Sequence, residues 1–465
     1  MGQARTIIAG GVVVTPDEVK KTDILIDGGR IAEIGSDLAQ RSPDVRIVDA
    51  GGCWVLPGGI DPHTHLDSRW EDTVTADDWL SGTIAAAAGG TTTVIDFCRP
   101  DRDEPMLDAV GTWKNRAAGK AVVDYGFHLV VRSASEAVLR DMKAAAAEGV
   151  TSFKLFMAYR DSLQLRDDEL YLALEGIREA GGVALAHCEN GDVIELLIAR
   201  ALASGENAPR HHALTRPPEL EGEAASRIIR LAELTGTPLY IAHVSCRQSL
   251  DEIRRAQAAG QPVYGETCPQ YLFIDSGYLD RELDEAVKYV WSPPPREKEH
   301  QPALWSGIRG GALQSIGSDH SSYRMEQKLA DPADFTGIPN GGPGIEDRMS
   351  LLYHYGVVER GMDIRDFVRL TSTFAAKLFG LYPRKGTIAK GSDADLVVWD
   401  PRLKRTLSAK THHMNVDYSV YEGHKVQGGP VLTMVRGQPV VERGRFVGTP
   451  GQGLFIHRKP YDNDF

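Results

Sequence analysis

Several things are missing from this 465-residue chain, and each absence narrows the reading. The five cysteines (Cys53, Cys98, Cys188, Cys246, Cys268) are odd in number, widely spread, and form no C-x-x-C pair. That excludes a disulfide framework and a thiolate metal cage, and reads as reduced thiols in a cytoplasmic protein. No apolar run approaches the ~18–20 residues of a membrane span. The opening residues lack the charged and apolar regions of a secretory signal. Met1-Gly2 with Thr6 fits only the loose myristoylation pattern, and reads instead as a short leader before the strand-like Thr6-Ile7-Ile8. There is no excess of positive charge: 52 Lys and Arg face 64 Asp and Glu, a net −12. This argues against a binder of nucleic-acid phosphates. No repeat of fixed period and no low-complexity tract occurs. Gly341-Gly-Pro-Gly344 lacks the Lys-Ser/Thr of a phosphate loop.

What is present is an ordinary globular composition, 42% apolar and 25% charged, long enough to bury a large core. Residues 1–55 contain short β-branched runs (Thr6–Thr15, Asp23–Asp27, Arg30–Ile34, Val45–Asp49) separated by Gly, Asp and Pro. Residues 386–465 read the same way, with strands at Asp395–Trp399, Val431–Val435 and Pro439–Glu442. The two ends can pair into one small β-sandwich, with 56–385 inserted between them. That middle alternates strand and helix. Its strands are expected at Val55–Asp61, Thr92–Phe97, Val123–Val131, Thr151–Met157, Gly182–Cys188, Leu239–Val244, Val263–Cys268 and Leu313–Ser318. Eight strands with helical crossovers point to an α/β fold, a closed (β/α)8 TIM-like barrel. An open doubly wound sheet is the alternative.

Polar residues fall at the carboxyl ends of those strands, which in a barrel share one mouth. His63 and His65 end strand one, Lys154 lies in strand four, His187 ends strand five, His243 ends strand six and Asp319 ends strand eight. His63 and His65 are two apart and share a face, so both can bind one metal ion, and His187 and His243 can bind another. A donor set of N and O without thiolate suits catalytic Zn²⁺, with Mn²⁺, Fe²⁺, Co²⁺ or Ni²⁺ as alternatives. Lys154 stands between Phe153 and Leu155, where a buried ammonium is costly. A neutral amine there can take up CO2 to give a carbamate that bridges two metals. The alternative is a lysine that snorkels out or pairs with an acid. Asp61 either orients a histidine or caps its loop. His320 is expected to point away from the site, His128 to pack in the core, and His211-His212 and His412-His413 to be solvated.

These residues carry a resemblance. Gly58-Gly-Ile-Asp-Pro-His-Thr-His65, Ala85-Ala-Ala-Ala-Gly-Gly-Thr-Thr92, Phe153-Lys-Leu-Phe-Met-Ala-Tyr159, Ala186-His-Cys-Glu-Asn190, Glu266-Thr-Cys-Pro-Gln-Tyr271 and Ile338-Pro-Asn-Gly-Gly-Pro-Gly-Ile-Glu-Asp-Arg348 resemble the dihydropyrimidinase/hydantoinase family of cyclic amidohydrolases. The resemblance runs from about Ile7 to past Gly437. It implies that His63, His65 and Asp319 hold one metal ion, that His187 and His243 hold the other, and that Lys154, as N6-carboxylysine, bridges them. It further implies that Tyr159 faces the reacting carbonyl and that main-chain groups at Ser292 and Asn340 hold the ring amide.

The expected reaction is hydrolysis of a cyclic ureide or imide, a 5,6-dihydropyrimidine or a 5-substituted hydantoin, to an N-carbamoyl amino acid. Two metals flanking one water would leave a bound hydroxide. Tyr159 would stabilise the oxyanion, and Asp319 would carry the proton to the leaving nitrogen. Allantoinase is the close rival, against which the Asp72–Asp78 run and the Asn340 loop argue. A non-catalytic assembly protein of the same fold, like the collapsin response mediators, is the rival from another class; the six intact ligand positions argue against it. The loop Leu66-Asp-Ser-Arg-Trp-Glu71 departs from relatives that take bulky apolar hydantoins, as does Pro295, where leucine is common. Asp67, Arg69 and Glu71 would disfavour an aryl substituent if they line the pocket. A homotetramer is expected, with Gly423–Phe465 as a candidate subunit contact.

Overall fold

The computed structural model describes residues 5–41, 45–70, 73–102, 104–331 and 333–463. Met1, Gly2 and Glu71 lie outside the described residues, as does the side chain of Trp70.

Eight parallel strands form one sheet in sequence order: Gly59–Thr64, Thr91–Cys98, Asp124–Val130, Ser152–Phe156, Val183–His187, Leu239–Ile241, Val263–Thr267 and Ser315–Ile316. A parallel bridge from Thr64 to His320 brings the first strand to the segment leaving the eighth, which nearly closes the barrel. The strands are buried on both faces, as expected when helices cover the outside. Inside, Ile60, Ile95, Val130, Leu185 and Tyr240 pack together, with Phe379 and Ile456 joining them. Outside lie the crossover helices, including Trp79–Ala88, Met106–Ala117, Glu136–Ala147, Asp167–Glu179, Pro218–Thr235 and Arg247–Ala258. Trp79–Ala88 begins where Asp78 accepts from the main-chain N–H of Leu80 and Ser81, which satisfies two otherwise orphaned donors. The helix Gly191–Ala203, started by Asn190, was not anticipated in the sequence.

Two further sheets come from the chain ends. A seven-stranded sheet runs, edge to edge, Arg445–Phe446, Gln438–Glu442, Lys425–Val435, Leu396–Thr406, Trp54–Pro57, Val12–Val14 and Val19–Lys21. A four-stranded sheet runs Arg30–Gly35, Asp23–Asp27, Thr6–Ala9 and Arg46–Asp49. Ile8, Ile24, Ile26 and Ile31 of the smaller sheet pack against Val13, Val55, Leu396 and Leu432 of the larger.

Two runs expected as single strands are each divided between sheets. Val55–Asp61 breaks at Gly58: Val55–Pro57 pairs with Leu396–Val398, whereas Ile60 and Asp61 pair with Thr93 and Val94 of the barrel. A side chain at Gly58 would overlap Thr92, so only glycine lets the chain pass there. Thr6–Thr15 likewise breaks at Gly10, whose φ of +75° turns the chain from the small sheet into the large one. The last residues do not extend the β sheets. They cross the base of the chain's own barrel, where Ile456 N–H donates to the Tyr125 carbonyl (2.7 Å) and Tyr461 N–H to that of Gly181 (2.8 Å). Arg458 is fully buried there, donating to the Phe127 carbonyl.

Candidate functional site

At the opposite, carboxyl end of the barrel strands the expected site residues meet. The Nε2 atoms of His63 and His65 stand 3.1 and 3.2 Å from the same Asp319 oxygen. These three form the one cluster of potential metal donors, among the described residues, whose donor atoms lie within 4.8 Å of one another. Beside them, His187 Nδ1 lies 3.0 Å from His243 Nε2. The His63 and His243 rings are 5.3 Å apart, which joins the two pairs. Lys154 points into the same cavity, 1% exposed. Among the described residues its Nζ has no hydrogen-bond partner, and it lies 5.1 Å from the Phe97 ring and 5.2 Å from that of Phe156. Tyr159, Ser292 and Asn340 line the cavity as well. Tyr159 hydrogen-bonds Ser292, and its ring lies 5.2 Å from that of His187. Tyr159, His243 and Asp319 all have positive φ (69°, 38° and 50°). For residues with side chains this conformation is strained, and such strain gathers at functional sites.

The electrostatics follow from burial and from two carboxylates. Burial pulls the His63 ring down, but Glu266 and Asp319 outweigh it and hold the ring up at about 9. Burial would raise Asp319, yet His63 and His65 keep its carboxyl well below the usual range. Burial lowers His65, His187 and His243, so these rings are neutral and able to donate a lone pair. Burial also brings Lys154 down to about 8, against the pull of Asp319 and Glu266. Its neutral amine is therefore accessible near neutral pH. Burial raises the Tyr159 hydroxyl, which stays protonated.

These residues fit a pair of divalent ions. Two donors ~2.0–2.1 Å from one tetrahedral ion stand roughly 3.3 Å apart, close to the separations within both clusters. Among the described residues Lys154 Nζ is a buried polar atom without a hydrogen-bond partner, which a charged occupant of the site would account for.

The sequence reading missed several supports. Glu266, fully buried, accepts from His63 Nδ1 (2.6 Å), the Tyr240 hydroxyl (2.8 Å) and the His243 main-chain N–H (3.0 Å). Glu189 lies 2.8 Å from His187 Nε2. Both carboxylates fix the rings that carry the donor atoms. Asp61 does not orient a histidine ring; it accepts from the main-chain N–H of His63 and Ser318 and so caps the two loops. His211 and His212 are not solvated. They lie in the short helix Arg210–Leu214, and His212 Nε2 donates to the Trp291 carbonyl at 2.9 Å. Lys328, 0% exposed, donates to the carbonyls of Val290 (3.0 Å) and Pro339 (2.6 Å), tying together the loops that carry Ser292 and Asn340. His320 is turned away to Asp77 (3.0 Å), and His128 is a core residue between Ser152 and the Pro62 carbonyl.

Fold and donor set together define the class, a barrel of the metal-dependent amidohydrolase type. The family model described as the amidohydrolase family matches residues 54–440. A D-hydantoinase of Geobacillus stearothermophilus is 51% identical over 457 residues, covering 98% of this chain and 97% of the relative. A D-phenylhydantoinase of Escherichia coli is 41% identical over 466 residues, 98% of this chain and 99% of the relative. The solved structure of dihydropyrimidinase from Brevibacillus agri superposes with a TM-score of 0.97 at 48% identity, covering 99% of this chain and 100% of that one. The chain belongs to the amidohydrolase family, in the branch of the hydantoinases and dihydropyrimidinases.

Proposed function

We propose that this chain opens the ring of cyclic ureides, 5,6-dihydropyrimidines or 5-substituted hydantoins, and releases N-carbamoyl amino acids. The observation that carries the reading is the convergence of His63, His65, Lys154, His187, His243 and Asp319 from five strand ends on one cavity. His63, His65 and Asp319 would hold one divalent ion and His187 and His243 the other, with Lys154, as N6-carboxylysine, supplying an anionic ligand to them. Zn²⁺ suits the donors best, with Mn²⁺, Fe²⁺, Co²⁺ or Ni²⁺ as alternatives. When bound, the ions supply an activated water and polarise the ring carbonyl.

The chain's own groups do the rest. Tyr159, held protonated by burial, donates to the oxygen that gains charge as the carbonyl is attacked. Main-chain groups of Ser292 and Asn340 hold the ring amide in place. Asp319, held ionised by His63 and His65, takes the proton of the attacking water and returns it to the leaving nitrogen. The amide C–N bond breaks, and the water's oxygen ends on the new carboxylate.

Within this reading the partner is a small molecule, with neither nucleic acid nor membrane. No helix among the described residues is long and apolar enough to cross a membrane. All five cysteines are unpaired, which supports a cytoplasmic enzyme. A homotetramer is the proposed assembly. The test is a panel of dihydrouracil, hydantoin, phenylhydantoin and allantoin, followed by the release of N-carbamoyl product. Opening of dihydrouracil or hydantoin is expected; opening of allantoin alone would assign the chain to the rival reaction.

A further inference from the structure

The loop that brings Ser292 to the catalytic cavity, Val290-Trp-Ser-Pro-Pro-Pro-Arg296, is buried throughout yet forms neither helix nor strand. Buried main chain outside regular structure must find its hydrogen bonds elsewhere. Here other segments supply them. The Val290 carbonyl accepts from Lys328 Nζ and from the Gly341 N–H, each at 3.0 Å. The Trp291 carbonyl accepts from His212 Nε2 at 2.9 Å, and the Pro293 carbonyl from the Tyr271 hydroxyl at 2.8 Å. Between these two, the Ser292 carbonyl accepts from no donor among the described residues. An unused acceptor thus stands between two used ones, on a residue that lines the cavity.

His212 is set up to donate. It is buried, and Arg216 Nη1 donates to its Nδ1 at 3.1 Å. A guanidinium has no acceptor, so Nδ1 carries the lone pair and the ring hydrogen sits on Nε2, toward Trp291. Burial, then Arg216, holds the ring well below its ordinary value, which keeps it neutral. Arg216 is fixed in turn. Its carbonyl accepts from Arg296 Nη1, and Arg296 also donates to Ser245 Oγ and to Glu221, each at 2.8 Å. The bonds therefore run from Trp291 through His212, Arg216 and Arg296 back to the same loop. Tyr271, from the helix Pro269–Phe273, holds the loop at Pro293.

We infer that His212 and Tyr271 are positioning residues for ring opening: by taking the carbonyls on either side, they hold the Ser292 main chain where its own carbonyl meets the ring amide of a cyclic ureide. This rests on the ring-opening reading above. Both act through Ser292, and no bond forms or breaks at either.

The test measures kcat and KM for hydantoin and dihydrouracil in the Zn²⁺-loaded wild type and in His212→Leu, His212→Gln and Tyr271→Phe, with metal per chain and circular dichroism alongside. His212→Leu should raise KM on the order of tenfold. Its kcat should change less, because a misplaced acceptor weakens binding of the ring in ground and transition states alike. Tyr271→Phe deletes one oxygen and should raise KM about threefold. His212→Gln should recover most of the loss, since its NH2 can donate to the Trp291 carbonyl and its oxygen can accept from Arg216. A residue that only filled space would be replaced better by leucine than by glutamine. Metal content should stay that of wild type, because the His243 main chain keeps its bond to Glu266. An unchanged KM in His212→Leu or in Tyr271→Phe, or a His212→Gln enzyme no better than His212→Leu, would overturn the inference while wild-type ring opening keeps the reaction class. If His212→Leu does not fold, Tyr271→Phe decides: a raised KM supports the inference and an unchanged KM overturns it. A wild type that opens neither compound would remove the ring-opening reading and this inference with it.

Discussion

Replacing Glu266 separates the role of the supporting carboxylate from that of the donor atoms. Glu266→Ala would abandon three buried donors: His63 Nδ1, the Tyr240 hydroxyl and the His243 N–H. At ~1–3 kcal/mol each the loss is ~3–9 kcal/mol, against a total domain stability of about 5–15 kcal/mol. That variant is expected to misfold and tells little. Glu266→Gln is gentler. Its amide oxygen can keep the bonds from His63 and His243, which share one carboxylate oxygen, while its NH2 turns to Tyr240, whose hydroxyl can accept. Only the charge is lost. His63 then becomes a weaker base at Nε2, and removal of such a partner typically lowers metal affinity 10–100-fold, or ~1.4–2.8 kcal/mol. Competition against a chromogenic chelator reads the affinity, and circular dichroism checks the fold. A folded Glu266→Gln protein that binds metal as tightly as wild type would refute the argument.

Other outcomes follow from the same geometry. Lys154→Ala should lose ring opening, with partial rescue by acetate or propionate; an active Lys154→Arg enzyme would contradict a carbamate bridge, because guanidinium cannot supply one. Lys328→Met removes the tether between the Val290 and Pro339 carbonyls. About 1.4 kcal/mol of lost positioning should raise KM ~10-fold with a smaller change in kcat, and an unchanged KM would deny Lys328 that role. Asp347 is pushed by burial, and then by Glu346, from 3.8 up to about 7. The folded chain therefore holds a proton that the unfolded chain has released between roughly pH 4 and 7, and stability falls as pH rises through that window. Asp347→Asn should raise Tm at pH 8 more than at pH 5; equal shifts at both would show that the carboxyl does not titrate this way.

The barrel was legible because its strands are short apolar runs spaced by helical periods, and because strand ends in such a fold share one mouth. His63, His65, Lys154, His187, His243 and Asp319 could therefore be grouped before any coordinates were known. The divisions at Gly10 and Gly58 were not legible: both halves have the same strand period, and what parts them is which sheet each half meets. Glu266 hid inside a strand, where nothing local signals that its partners lie on strands one and six. His211-His212 looked solvated among polar neighbours, but Trp291, nearly 80 residues on, covers His212.

Metal titration of the purified chain tests the account most directly. Metal-free protein is mixed with increasing Zn²⁺ in bicarbonate buffer, and hydantoin opening is followed beside bound metal per chain. Activity should be absent without metal, rise with occupancy, and saturate near two ions per chain, as a two-metal site requires. Full turnover in rigorously metal-free protein would contradict it.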